Sequence, residues 1–221
     1  MDEHHITTRR TARYYTLGQA GPTTREVWFV CHGYGQLAGR FLEKLRVLDD
    51  GGGRRLLVAP EGLSRFYLSE GPAERRVGAC WMTREDRLAE IEDYVQYLDA
   101  VYAAVFSNLD RTSVTVHAMG YSQGAATVSR WAGMGVARVD RVVLWGGELP
   151  PDLDLSKEPA AGRLKAGRLT FVYGRSDEFI TPKVVEATKQ RLRDHGIPYR
   201  EVPFDGGHEI SPAVLTDLAR S

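Results

Sequence analysis

The stretch "HAMGYSQGAATVSRWAG", residues 117–133, is the part of the chain that decides its fold. Ser122 stands two positions after Gly120 and two before Gly124. A β-prone apolar run precedes it, and a run of small, helix-compatible residues follows. Gly-x-Ser-x-Gly between a strand and a helix is typical of a nucleophile elbow, a tight turn that leaves a serine hydroxyl exposed. Glycine is expected at both flanking positions because side chains there would collide with the neighbouring strand and helix.

Apolar, β-prone runs alternate with helical patterns on both sides of this turn. Strands are predicted over residues 27–31, 54–60, 113–119, 141–147, 168–174 and 199–204, with an antiparallel edge strand over 12–17. Helices are predicted over 37–50, from about 86 to 105, after Ser122, over 182–196 and over 211–220. The alternation predicts one α/β domain spanning 1–221, with a mostly parallel, doubly wound sheet. Ligands of such sheets bind at the carboxyl ends of the strands.

Two segments contain many turn residues and are predicted to be loops, 61–82 and 148–167. Thr83 and Asp86 are candidates to cap the helix that follows the first loop. That loop also carries large apolar side chains, which need a reason to be there. They either fold back onto the core or line a binding pocket.

Composition excludes several classes of protein. The 221 residues include 29 basic and 29 acidic side chains, so the net charge is zero and no nucleic-acid partner is expected. The N-terminal segment lacks the apolar run of a signal peptide, and no run is long enough to span a membrane, so we expect a cytoplasmic protein without stable membrane insertion. Cys31 and Cys80 are expected to be reduced, buried thiols. We expect no metal and no cofactor, and the sequence leaves open whether the chain forms a homodimer.

A serine hydroxyl needs a base to act as a nucleophile. Asp177 comes just after the strand over 168–174, and His208 lies on a glycine-rich loop after the strand over 199–204. Both therefore belong to the same sheet edge as Ser122. His208 is predicted to accept the serine proton and Asp177 to orient the imidazole, with Glu178 as the rival acid. His117 is predicted to be a core histidine with its hydrogen bonds satisfied.

Acyl transfer also needs hydrogen-bond donors for a developing oxyanion. The backbone N–H of Gln123, directly after Ser122, is the first candidate. The second is the N–H of Tyr34 in "CHGYGQ" (31–36), a loop whose glycines allow the backbone to approach the serine. His32 is interpreted as a structural, hydrogen-bonding residue of that loop.

Four segments together resemble the phospholipase/carboxylesterase family of α/β-hydrolases, which includes acyl-protein thioesterases. They are "HGYG" near the start, "GYSQGAA" at the elbow, "GRSDEFITP" at the acid and "GGHEIS" at the histidine, in the family's order. The resemblance implies the α/β-hydrolase fold without a large cap domain. Two features depart from the family pattern: Gln36 stands where members often have Asp, and the segment after residue 65 is not the usual loop.

The resemblance and the residues together predict a serine esterase or thioesterase that acts on small-molecule or acyl-chain substrates through an acyl-enzyme. Trp81 and Met82 are the candidates for an acyl pocket, because many family members carry an aromatic residue in this region. Two alternatives remain open. One is a serine peptidase or amidase on the same fold, and the other is a hydrolase-like protein that binds ligands without turnover.

Overall fold

The computed structural model describes residues 1–69 and 76–220, and these contain nine strands. The strands are β1 (Tyr14–Leu17), β2 (Glu26–Cys31), β3 (Arg55–Pro60), β4 (Ser64–Tyr67), β5 (Val77–Cys80), β6 (Thr115–Tyr121), β7 (Arg141–Trp145), β8 (Arg168–Gly174) and β9 (Tyr199–Phe204). Seven of them form one sheet in the order β1-β3-β2-β6-β7-β8-β9. Only β1 runs antiparallel to its neighbour. The predicted parallel sheet and its antiparallel edge strand are confirmed.

Six α-helices accompany the sheet in the described residues. They are α1 (Ala38–Lys44), α2 (Arg87–Phe106), α3 (Gln123–Met134), α4 (Ala160–Ala166), α5 (Pro182–Asp194) and α6 (Pro212–Leu218). One buried apolar cluster contains side chains of α2 to α5, such as Leu98 and Trp131. A second cluster contains side chains of α1 and α6, such as Phe41 and Leu215. The two clusters lie on opposite faces of the sheet, because their strand residues alternate along β2 and β6.

The two predicted loops contain regular structure. Within 61–82, β4 and β5 pair antiparallel as a separate two-stranded sheet, while residues 70–75 lie outside the described part. Within 148–167, α4 forms a short helix. Both predictions were wrong because elements of four to seven residues are too short to show a clear periodicity. The predicted 37–50 helix is also shorter, since α1 ends at Lys44 and a single 3-10 turn follows.

The predicted side-chain caps of α2 are wrong as well. Asp86 does occupy the N-cap position, but its φ is +45° and its carboxylate accepts no hydrogen bond from the helix. Thr83 lies farther out, where its backbone N–H and its hydroxyl both donate to the carboxylate of Glu90. Glu90, in the first turn of α2, therefore holds the incoming chain.

Neither cysteine forms a disulfide, and both are buried, as predicted. Burial raises the pKa of the Cys31 and Cys80 thiols, so both stay protonated at neutral pH. In the part of the chain that the structure describes, no helix has the length and apolar character needed to cross a bilayer.

His117 is buried in β6, but its hydrogen bonds are not satisfied as predicted. Its ring stacks on Trp28 with centroids 3.9 Å apart. Nε2 lies 3.6 Å from a carboxylate oxygen of Glu26, and Nδ1 has no hydrogen-bond partner among the described residues. Burial is the main reason that the pKa of His117 falls to about 3, and the charges of Arg141 and Arg55 add to this. The ring is therefore neutral at neutral pH, and its contact with Glu26 is not an ion pair.

This buried imidazole should make the protein less stable in mild acid. An unfolded histidine binds a proton near pH 6.5, whereas folded His117 does so only near pH 3. Its contribution to stability is therefore complete above pH 6.5 and is lost as the pH falls towards 3, by at most about 1.4 kcal/mol per pH unit. Urea unfolding at pH 6.5 and pH 5 should show wild type losing up to about 2 kcal/mol more than His117→Phe. Equal losses in the two proteins would contradict the assignment.

Candidate active site

Ser122 lies at the sharp turn between β6 and α3. Its φ of +55° and ψ of −119° are strained for a residue with a side chain. A Cβ on Gly120 would lie 2.0 Å from the carbonyl oxygen of Gly124, and a Cβ on Gly124 would lie 2.2 Å from that of Cys31. The strand–turn–helix context predicted for the Gly-x-Ser-x-Gly motif is present, and both glycines are needed for the close approach of strand and helix.

The three side chains predicted to work together do meet at the carboxyl edge of the sheet. Ser122 Oγ is 2.9 Å from His208 Nε2, and His208 Nδ1 is 2.8 Å from Asp177 Oδ2. The other carboxylate oxygen of Asp177 accepts hydrogen bonds from the N–H groups of Phe179 and Ile180, at 2.8 and 3.0 Å. Asp177 is buried and held from both sides. Glu178, the rival acid, is exposed and makes no such contact.

The loop that carries His208 is held by two side chains that the sequence did not single out. The hydroxyl of Tyr121, at the end of β6, donates to the His208 carbonyl at 2.7 Å. The indole N–H of Trp145, at the end of β7, donates to the Glu209 carbonyl at 2.8 Å. A large aromatic residue with a polar tip usually has a hydrogen-bond partner when buried, which is the only sequence signal for these contacts.

His32 fixes the loop in front of the serine, as predicted. It is fully buried, its Nδ1–H donates to the Gly33 carbonyl at 2.8 Å, and its Nε2 accepts the Gly62 N–H at 3.0 Å. These contacts define its neutral tautomer, and burial lowers its pKa. The Trp81 indole N–H donates to the carbonyl of His32 at 2.9 Å. His32 is therefore an internal tie of the loop and does not contact Ser122.

The backbone N–H groups of this loop differ in whether they have partners. The Gly33 N–H donates to Gln36 Oε1 at 3.0 Å, and the Gly35 N–H donates to the Ala79 carbonyl at 2.9 Å. No hydrogen bond within the described chain uses the N–H of Tyr34 or that of Gln123. These are the two donors predicted for an oxyanion, and both remain available. Gln36, the departure from the family pattern, satisfies the neighbouring N–H through its side chain.

Trp81 and Met82 lie beside the elbow, held there by Gln123. The Gln123 side chain accepts the Trp81 N–H at 3.0 Å and donates to the Met82 carbonyl at 2.8 Å. The Trp81 ring faces inwards, is only 1% exposed and packs against Tyr94 with ring centroids 6.1 Å apart. Of the two suggested explanations, packing on the core accounts for Trp81, while Met82 remains half-buried.

One exposed aromatic ring lies against His208, and a second belongs to the loop in front of the serine. Phe179 is 61% exposed, and its ring centroid is 4.8 Å from that of His208. Tyr34 is 58% exposed and lies 5.2 Å from the ring of Phe66. The sequence did not predict the ring of Phe179 beside His208, because the two residues belong to separate loops that meet only in the folded chain.

One group of potential metal ligands exists in the described residues, where the N-terminal segment meets the start of α2. Glu3, His5 and Asp86 each bring one ligand atom to within 4.8 Å of the others. All three are exposed, and none contacts Ser122, His208 or Asp177. The group therefore belongs to the surface and not to the candidate active site.

A serine at a tight strand-to-helix turn, above the carboxyl ends of a mostly parallel sheet with helices on both faces, defines the α/β-hydrolase fold. Between β3 and α2, the described residues add only the β4–β5 hairpin and no large cap.

Solved structures of this fold are similar to the chain over nearly its whole length. Acyl-protein thioesterase 2 from Zea mays has a TM-score of 0.72 and 17% identity, covering 95% of this chain and 97% of that one. Esterase PE8 has a TM-score of 0.69 and 19% identity, covering 96% of this chain and 97% of that one. The Bacillus cereus carboxylesterase has a TM-score of 0.69 and 14% identity, covering 95% of this chain and 92% of that one. No family model and no curated protein matches the sequence. The fold implied by the resemblance is thus confirmed.

Proposed function

We propose that the protein is a serine hydrolase that cleaves carboxylic esters or thioesters through a covalent acyl-enzyme. The observation that carries this proposal is the hydrogen-bonded series Ser122 Oγ, His208 Nε2, His208 Nδ1 and Asp177 Oδ2, with separations of 2.9 and 2.8 Å. Each contact is within the range in which a base can activate a hydroxyl and an acid can orient the base.

In the first half of the reaction, Ser122 Oγ attacks the carbonyl carbon of the substrate, and its proton passes to His208 Nε2. The electron pair of the C=O bond moves to the oxygen, where the N–H groups of Tyr34 and Gln123 stabilise the negative charge. The carbonyl then re-forms and the bond to the leaving oxygen or sulfur breaks. His208 gives its proton to that leaving group, which departs as an alcohol or thiol.

In the second half, water attacks the acyl-serine and His208 accepts a proton from it. The tetrahedral species collapses, Ser122 Oγ leaves with the proton from His208, and a carboxylic acid is released. Asp177 accepts the hydrogen bond from His208 Nδ1–H throughout, so that Nε2 is free to accept and return the proton.

The proposed substrates have an apolar acyl group. The exposed ring of Phe179 lies beside His208 and offers an apolar surface to such a group, and the exposed ring of Tyr34 belongs to the loop in front of the serine. Met82 is held beside the elbow by Gln123 and remains a candidate for the same surface, whereas the buried ring of Trp81 does not reach it. The names of the similar solved structures, a thioesterase, an esterase and a carboxylesterase, support the same bond type.

The proposal is tested with a fluorophosphonate probe and with paired substrates that share one acyl group. The probe should label Ser122, and a p-nitrophenyl ester should be hydrolysed far faster than the matching p-nitroanilide. A faster anilide reaction would identify an amidase instead. Absence of both labelling and turnover in the folded protein would leave the non-catalytic alternative.

Tyr121→Phe should lower kcat about fivefold and leave KM unchanged. The hydroxyl supports the loop of His208 and does not touch the substrate, and one neutral hydrogen bond contributes about 1 kcal/mol. Burial raises the pKa of Tyr121 to about 12, so this hydroxyl remains a donor over the whole working range.

Tyr173→Phe is the matched control for Tyr121→Phe. It also removes one tyrosine hydroxyl, but that hydroxyl contacts Glu201 between β8 and β9. Fluorophosphonate labelling should slow in Tyr121→Phe by the same factor as kcat and stay unchanged in the control. Equal behaviour of the two variants would show that Tyr121 does not position His208.

A further inference from the structure

A cavity of about 350 Å³ opens at the amino edge of the sheet, opposite the edge that carries Ser122. His117, in its wall, precedes Ser122 by five residues along β6, which corresponds to about 16 Å. The cavity therefore does not belong to the candidate active site. Its volume is within the range of small-molecule sites, near the lower limit.

The register of the sheet explains which side chains meet there. Trp28 pairs with His117, His117 with Arg141, and Arg141 with Arg168, so these four side chains form one row across β2, β6, β7 and β8. Residues opposite each other in parallel strands share a face, and this face is the one that α1 and α6 cover. The row begins with stacked aromatic rings and ends with guanidinium groups.

Positive charge dominates the lining. Lys165, Arg168 and Arg200 line the cavity together with Arg141, and none of the lining residues is acidic. Within the described chain, no carboxylate lies within 4.0 Å of the charged groups of Lys165, Arg168 and Arg200. The protein as a whole has no net charge, so this local excess is not a consequence of composition.

Some arginines of the chain have acidic partners. Arg130, for example, pairs with Asp152 at 2.6 Å, and Arg55 pairs with Glu26 at 3.1 Å. Guanidinium groups bind carboxylates and phosphates through parallel hydrogen bonds. Cations that lie together in a cavity without a carboxylate are therefore suited to an external anion.

The remaining walls are apolar. Trp28, Val143, Leu169 and Leu218 contribute them, and all four side chains are buried. His117 lines the same cavity, is 2% exposed and keeps Nδ1 without a partner among the described residues. A neutral imidazole nitrogen donates or accepts a hydrogen bond, depending on the tautomer.

We propose that this amino-edge cavity binds a small organic anion with a flat apolar body, such as an aryl carboxylate. The anionic group of the ligand contacts Arg168 and Arg200. Its flat body packs against the apolar wall of the cavity, at the end where Trp28 and His117 lie. Inorganic phosphate would use only the cationic part, and a neutral aromatic molecule only the apolar part. The proposal does not depend on the esterase proposal, because no residue of the candidate active site takes part.

The test is calorimetric titration with 2-naphthoate, and with 2-naphthamide as a neutral probe of the same shape. The double variant Arg168→Gln/Arg200→Gln removes two cations from the cavity. Arg40→Gln/Arg46→Gln removes the same charge from the exposed surface in and after α1 and serves as the control. Wild type and the control variant should bind 2-naphthoate with the same affinity, and the double variant should bind it at least tenfold more weakly. Wild type should bind 2-naphthamide no more tightly than the double variant binds 2-naphthoate.

The titration is repeated after Ser122 has been treated with the fluorophosphonate, and binding should persist. Loss of binding on labelling would place the ligand at the candidate active site and overturn the proposal. So would equal affinity of wild type and double variant, equal binding of the amide, or no 2-naphthoate binding in the millimolar range. If the probe fails to label Ser122, the esterase proposal fails. The comparison of the double variant with its control still tests the proposal of an anion site in the amino-edge cavity.

Discussion

Ser122→Ala should abolish nearly all ester hydrolysis while the protein remains folded. Without Oγ there is no nucleophile for His208 to activate, so only the oxyanion donors and substrate binding can still lower the barrier. In a well-studied serine protease the corresponding loss is on the order of 10⁶-fold in kcat. The fold should hold because Ser122 is tied to the sheet by its backbone N–H, which donates to the Trp145 carbonyl at 2.8 Å in either variant.

Ser129→Ala is the matched control for this substitution. It removes another serine hydroxyl of α3, buried and bonded to the Ala125 carbonyl at 2.8 Å, that does not reach His208. Activity should be near wild type in Ser129→Ala, and fluorophosphonate labelling should be absent only in Ser122→Ala. An ester hydrolysis rate within tenfold of wild type in Ser122→Ala would contradict the assignment of Ser122 as the nucleophile.

Asp177→Asn should lower kcat on the order of 10⁴-fold, because it forces the wrong histidine tautomer. Oδ1 of Asp177 accepts two backbone N–H groups, so the oxygen of an asparagine must keep that position. The amide NH₂ group then faces His208 Nδ1 and donates to it. Nδ1 must accept, the ring proton moves to Nε2, and the imidazole can no longer take the proton of Ser122.

Glu178→Gln is the control for Asp177→Asn, since it neutralises the adjacent, exposed carboxylate. It should leave kcat within a few-fold of wild type. Both variants should show the same urea midpoint as wild type to within a small margin, so that lost activity reflects chemistry. A larger loss in Glu178→Gln than in Asp177→Asn would transfer the acid role to Glu178.

The sequence predicted most of what lies in and near the core strands. Near-continuous apolar runs such as "VWFVC" mark strands that are buried on both faces, and β2, β3, β6, β7 and β8 were all found where these runs lie. The candidate active site was predictable because its residues follow these strands. Each of Ser122, Asp177 and His208 follows a strand, and parallel strands bring their carboxyl ends to one edge.

Weaker local signals led to the wrong predictions. The strands of the β4–β5 hairpin are only four residues long, and α4 begins after a segment rich in proline, so both were predicted to be loops. Thr83 and Asp86 have the residue types of helix caps, but Glu90 binds the backbone there instead. In these places contacts between distant residues outweigh local preference.

By itself, the sequence determined the class of fold, the order of its strands along the chain and the elbow at Ser122. The reason is that these features depend on local periodicity and on glycines at positions where a larger side chain would collide with the backbone. Only the tertiary structure decided that the Trp81 ring faces the core, that Tyr121 and Trp145 hold the loop of His208, and that His117 lies in a wall with an unpaired nitrogen. Each of these depends on which side chains from separate strands and loops meet, and no pattern along a single segment records such a meeting.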